Sequence, residues 1–172
     1  MRVLYSGEEI QRRVEELAAE LRPLYADRNP LLLGVLKGSF IFLADLARAL
    51  AIPLEVDFVQ LASYGDGTES AGFVRFERDV ERPLQGRHVL VVEDIVDTGH
   101  TLRFLLSTLA SRQTASVRVV SLLEKPSRRC LAVRPDYVGF TIPDLFVVGY
   151  GMDLAEGFRH LPDICVLEAD DK

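Results

Sequence analysis

The sequence is poor in cysteine and lysine and has no long apolar run, and each scarcity removes a class of protein. Its two cysteines, Cys130 and Cys165, have no partner at metal-ligand spacing, and a disulfide framework would need more of them in a smaller chain. Both are expected to be inert reduced thiols. The longest apolar runs, near Leu31 and Val117, are too short to span a bilayer, and residues 1–10 lack a signal pattern. The expected address is cytoplasmic, with no membrane partner. There is no low-complexity tract and no repeat at solenoid spacing, and 172 residues suffice for one core, so a single domain over 1–172 is expected. A net charge of −6 argues against broad nucleic-acid binding, which draws on Lys and Arg to neutralise phosphates.

Of the 20 basic residues only three are lysines: Lys37, Lys125 and the terminal Lys172. In a chain that uses arginine almost everywhere else, the internal lysines are candidates for sites that need a compact ammonium rather than a planar fork.

What is present alternates between two periods. Ser6 with Glu9 reads as a capping box, and Ile10, Val14, Leu17, Ala18 and Leu21 recur at helical spacing until Pro23. Residues 31–36 form an apolar run suited to a strand covered on both faces, and Phe40, Leu43, Ala44 and Ala47 predict a helix after it. Alternation at 54–58 predicts a half-exposed strand leading into a long mobile loop over 63–70, and Val74 and Phe76 mark a returning strand. A buried strand follows at 88–92, then a loop over 93–100 and a helix with Leu102, Leu105, Leu106 and Leu109 on one face. Strands are further expected at 117–123, 137–140, 146–148 and 164–167, with a turn or short helix at 155–160. This order predicts an α/β fold with a mostly parallel central sheet flanked by helices, which binds ligands at the carboxyl ends of its strands.

The residues just past those strands are chemically unusual: Lys37, Glu93 with Asp94, Lys125, and Asp153. Two lysines and three carboxylates at one rim suit a polyphosphate bound with a divalent cation, since Mg²⁺ takes a few carboxylates together with phosphate oxygens. No cage of His and Cys exists for a tighter metal. His88, His100 and His160 lack ligand spacing.

The sharpest motif is VLVVEDIVDTGHTL at 89–102. Thr98, Gly99 and Thr101 offer hydroxyls and free N–H groups at a helix start, which can hold a dianionic phosphate without a lysine. The motif resembles the phosphoribosyl pyrophosphate (PRPP) signature of the type I phosphoribosyltransferases, and further matches resemble their hypoxanthine-guanine branch. The resemblance implies a small hood and a mobile lid loop on the α/β sheet, Mg²⁺ as cofactor, PRPP and a 6-oxopurine base as substrates, and a homodimer or homotetramer. Glu93 and Asp94 then face the ribose and the metal, while Thr98, Gly99, His100 and Thr101 surround the 5-phosphate. Asp97 takes or holds the proton of purine nitrogen 7.

Leu36-Lys37-Gly38-Ser39 is similar to the branch's pyrophosphate loop, which contains a non-proline cis peptide. Ser63 and Tyr64 resemble the lid. Lys125 corresponds to the ammonium aimed at the purine 6-oxygen, and FVVGYGMD at 146–153 to the base pocket, with Phe146 stacking and the Val147 backbone at the base edge. Asp153 carries over as a metal contact and Arg159 as a pyrophosphate clamp. Read alone, Lys125 is a solvated strand-end lysine, Phe146 a core aromatic and Arg159 an exposed helix residue. Leu145 and Leu154 depart from the branch pattern at the pocket rim. The same motif also suits a transferase for adenine, xanthine or a pyrimidine, or a PRPP-sensing regulator, which the acidic charge and Asp97 oppose.

Overall fold

The capping box expected at the start of the chain closes the first turn of helix α1 (Gly7–Tyr25). The Glu9 N–H donates to Ser6 Oγ at 3.3 Å, and the Ser6 N–H donates to Glu9 Oε2 at 2.8 Å. The helix continues two residues past Pro23. A proline removes one backbone donor, but Tyr25 is buried and the Ala26 N–H still reaches the Arg22 carbonyl at 3.0 Å, so the last turn holds. The structure, a computed structural model, describes residues 1–64 and 73–167.

Six strands form the main sheet: β2 (Leu31–Leu36), β3 (Glu55–Tyr64), β4 (Phe73–Arg78), β5 (His88–Val96), β6 (Ser116–Glu124) and β7 (Tyr137–Thr141). Their spatial order is β4-β3-β2-β5-β6-β7, and only β4 runs antiparallel to its neighbour. The apolar runs of β2 and β5 divide by a period of two. Leu32, Leu90 and Val92 face one layer, packed with α1 and α2 (Phe40–Leu50), and Leu31, Leu33, Val89 and Val91 face the other, packed with α3 (His100–Ala110). Helices thus cover both faces, as the α/β reading requires. A second sheet of β1 (Arg2–Tyr5), β9 (Ile164–Val166) and β8 (Val147–Val148) is antiparallel and forms the hood. β1 has no apolar alternation to announce it, and pairing with β9 makes it a strand.

Several boundaries differ from the sequence reading. In α2 the buried residues are Phe42, Leu43, Leu46, Leu50 and Asp45, while Phe40 and Ala44 are exposed, so the stripe is rotated from the predicted one. β5 runs on to Val96, which places Glu93 and Asp94 in the strand and not in a loop. Ser63 and Tyr64 also belong to a strand, because β4 pairs with the end of β3 (Ser63↔Val74, Tyr64↔Phe73); the rest of the expected mobile loop, 65–70, lies outside the described residues. Of the turn or short helix expected over 155–160, turns form, with a bridge between Leu154 and Gly157.

The chain leaves β2 toward β3 on one side and returns at β5 on the other. The carboxyl ends of β2 and β5 therefore diverge, and the crevice between them is the expected ligand site of an open α/β sheet.

Candidate active site

Lys37 and Gly38 leave β2 on one side of that crevice, and the Leu36–Lys37 peptide bond is cis. Ser39 is fully buried and its Oγ donates to the Val35 carbonyl at 2.7 Å, which ties the turn back to its own strand. Gly38 lies directly against the acidic end of β5: a Cβ there would fall 1.7 Å from Asp94 Oδ2. Gly38→Ala is therefore expected to push the Asp94 carboxylate aside and lower kcat/KM by about 10²-fold, the cost of roughly 1 Å of misplacement, with the fold intact by circular dichroism. Unchanged kinetics would show that Asp94's position is not critical.

Glu93 is buried, and burial with the neighbouring Asp94 charge pushes its carboxyl well above the usual range. Burial also pushes Asp94 up to about 6, against the hydrogen bonds from the Ile95 and Asp94 N–H groups that lower it. Because both folded-state values are raised, ionisation disfavours the fold as pH rises through them, and a bound cation or hydroxyl donors would offset that cost. Three residues on, Asp97 opens the phosphate loop. Gly99 adopts φ +91°, a region open to glycine, and α3 starts behind it with no side chain capping its N–H groups. Thr98, Gly99 and Thr101 line a cavity of about 250 Å³ with Glu93, Asp94 and Asp97, whereas His100 is exposed and outside that lining.

The opposite wall comes from the ends of β6 and β7. Lys125 is only 8% exposed, its N–H bonds the Val96 carbonyl at 3.0 Å, and its Nζ lies 3.8 Å from Asp144 Oδ1. Most of its side chain is thus buried, unlike that of a solvated strand-end lysine. Arg128 links the walls: its Nε donates to Asp97 Oδ1 at 3.1 Å and its Nη1 lies 3.5 Å from Asp144 Oδ2. Arg129 Nε donates to the Asp97 carbonyl at 3.2 Å and fixes the loop backbone. Sequence reasoning did not find Arg128, Arg129 or Asp144, since nothing local marks two arginines among so many.

Phe146 and Val147 bring the hood to the same space, with Phe146 42% exposed toward it and not a core residue. The loop after β8 carries Asp153 and Arg159. Arg159 Nη2 lies 2.8 Å from Asp153 Oδ1 and its Nη1 donates to the Gly151 carbonyl at 2.8 Å. Tyr150 anchors this loop by donating to the buried Asp45 at 2.5 Å, where Gln11 Nε2 also donates at 2.8 Å. Lys37, Gly38, Asp94, Asp97, Lys125, Phe146, Val147, Asp153 and Arg159 all line one cavity of about 620 Å³. Leu145 and Leu154, the two departures from the pattern, pack against the main core and the hood core respectively.

The donors suit a hard cation only in company. Asp94 and Asp153 share the larger cavity, but Glu93 lines only the smaller one, and among the described residues no group of three or more His, Cys, Asp or Glu is placed to hold a metal. A Mg²⁺ ion completing its shell with substrate oxygens and water fits such a sparse carboxylate set.

A family model described as the phosphoribosyl transferase domain matches residues 3–155. The chain is 47% identical over 167 residues to a hypoxanthine-guanine phosphoribosyltransferase of Bacillus subtilis, covering 97% of this chain and 93% of that one. It is 46% identical to the bifunctional protein TilS/HprT of Listeria innocua over 98% of this chain but 26% of that protein. A crystal structure of a hypoxanthine phosphoribosyltransferase from Staphylococcus aureus superposes with a TM-score of 0.94 at 41% identity, covering 98% of this chain and 91% of that one.

Proposed function

The chain belongs to the phosphoribosyltransferase family, on its hypoxanthine-guanine branch, and from that membership we propose how its own residues divide the reaction. It is a purine-salvage transferase that moves the 5-phosphoribosyl group of PRPP to hypoxanthine or guanine, giving IMP or GMP and pyrophosphate. The observation that carries the residue assignments is convergence: Lys37, Asp97, Lys125, Phe146 and Arg159 come from separate segments and line one cavity.

In this reading Thr98, Gly99, His100 and Thr101, with the open start of α3, receive the 5-phosphate. Glu93 and Asp94 accept hydrogen bonds from the ribose hydroxyls. Lys37, the Gly38 backbone and Arg159 offset charge on the departing pyrophosphate. Phe146 stacks on the purine, Lys125 donates to its 6-oxygen, and Val147 meets its edge through the backbone. Nitrogen 9 bonds to the anomeric carbon as the carbon–oxygen bond to pyrophosphate breaks, and Asp97 takes the proton that nitrogen 7 gives up. Arg128 engages Oδ1 of Asp97, which leaves Oδ2 for that proton. When bound, Mg²⁺ neutralises part of the pyrophosphate charge, and Asp94 and Asp153 are the residues that would hold it.

The wider reading is a single domain over 1–172, assembled as a homodimer or homotetramer in the cytoplasm, with Ser63 and Tyr64 contributing to a lid that excludes water. No helix among the described residues is long and apolar enough to cross a membrane. The test is pyrophosphate release from PRPP and Mg²⁺ with each of five nucleobases. Release with hypoxanthine or guanine is expected; release only with adenine or a pyrimidine, or with none, would refute the reading.

A further inference from the structure

Lys37 and Arg159 share one carboxylate. Glu156 Oε1 lies 2.9 Å from Lys37 Nζ, and its other oxygen, Oε2, lies 3.3 Å from Arg159 Nη2. Each oxygen thus engages one cation, which is the arrangement two pyrophosphate oxygens would adopt between the same pair. We propose that Glu156 is an internal counter-anion of the pyrophosphate subsite, competing with pyrophosphate for Lys37 and Arg159 and so weakening its hold and promoting its release. The proposal rests on the reading of Lys37 and Arg159 as the pyrophosphate clamp.

Two further features support it. First, the turn that presents Glu156 is built against local preference: Ala155, Glu156 and Phe158 have φ of 49°, 67° and 70°, a left-handed region that residues with a Cβ seldom occupy unless their surroundings impose it. Asp153 imposes it here, accepting the Glu156 N–H on Oδ2 at 2.9 Å, and the Gly157 N–H closes the turn on the Leu154 carbonyl at 2.9 Å. Second, the Lys37 and Glu156 side chains are 53% and 66% exposed, so the pair sits in solvent, where a polyanion can displace it at little desolvation cost. Asp153 also contacts Arg159, but among the described residues Glu156 is the carboxylate that pairs with Lys37.

Glu156→Gln removes the charge and keeps the shape, and Glu156→Gly removes the side chain at a φ that glycine favours. One solvent-facing ion pair, to Lys37, and one to the mostly buried Arg159 set the scale of the effect. Titration calorimetry of the full chain with Mg²⁺-pyrophosphate at low salt is expected to show about two- to tenfold tighter binding for both variants, with the PRPP KM falling in the same direction. The gain should shrink in high salt and in a Lys37→Met background, since it acts through Lys37. Unchanged or weaker pyrophosphate binding in the two variants would overturn the proposal. If Lys37→Met alone leaves pyrophosphate affinity untouched, the clamp reading has failed and the proposal falls with it.

Discussion

Hypoxanthine is expected to exceed adenine in kcat/KM by roughly 10⁴ or more, with Lys125 setting the ratio. Burial is what gives the lysine this leverage. At 8% exposure the residue has little water around it, and its charge partner Asp144 stands 3.8 Å away, beyond a hydrogen bond. A 6-oxygen supplies the missing acceptor. The amino group of adenine brings donors to a donor and leaves both sides unpaired. Lys125→Met keeps most of the stem and removes the ammonium, so it should lower kcat/KM for hypoxanthine and bring the hypoxanthine-to-adenine ratio down by at least 10²-fold, on the same scale of discrimination. Steady-state kinetics with both bases check this. Comparable wild-type values for the two would refute it, and an unchanged ratio in the variant would move base selection elsewhere.

Asp97→Asn is expected to reduce kcat by about 10² to 10⁴, the usual worth of general-base assistance. The PRPP dissociation constant should move by only a few fold. The structure sharpens the separation of these two effects. Arg129 holds the loop through the Asp97 carbonyl, which the substitution leaves in place. Arg128 holds the side chain through Oδ1, and an asparagine oxygen can still accept that bond. Loop shape and phosphate binding should therefore survive while basicity is lost. Single-turnover rates and a PRPP titration on the same preparation decide it. A wild-type kcat would make Asp97 structural and pass the proton to water or to Asp94.

Much of this site was legible because its chemistry sits in contiguous stretches. The motif at 89–102 encodes a strand, a turn and a helix start in one run, and its parts meet by local geometry alone. Lys125 was legible for a different reason, as a lysine left standing in a chain rich in arginine. Arg128, Asp144 and Glu156 were not legible, because their meaning comes from partners 31, 19 and 119 positions away in sequence. In the fold, the rotated stripe of α2 shows the same limit. Phe40 belongs to a helical pattern by spacing, yet it is exposed, while Asp45 is buried because Gln11 and Tyr150 satisfy it. β1 carries no pattern of its own and exists through β9. Local periodicity identifies elements that bury one face, and it cannot identify those created by pairing.

The most direct measurement of the account is a crystal structure with PRPP, Mg²⁺ and a non-reactive 6-oxopurine analogue. The 5-phosphate is expected on the backbone of Thr98 to Thr101, the 6-oxygen about 2.8 Å from Lys125 Nζ, and the Asp97 carboxylate within hydrogen-bond reach of nitrogen 7. A base bound away from Lys125 and Phe146, or a 5-phosphate held elsewhere than at the start of α3, would contradict it.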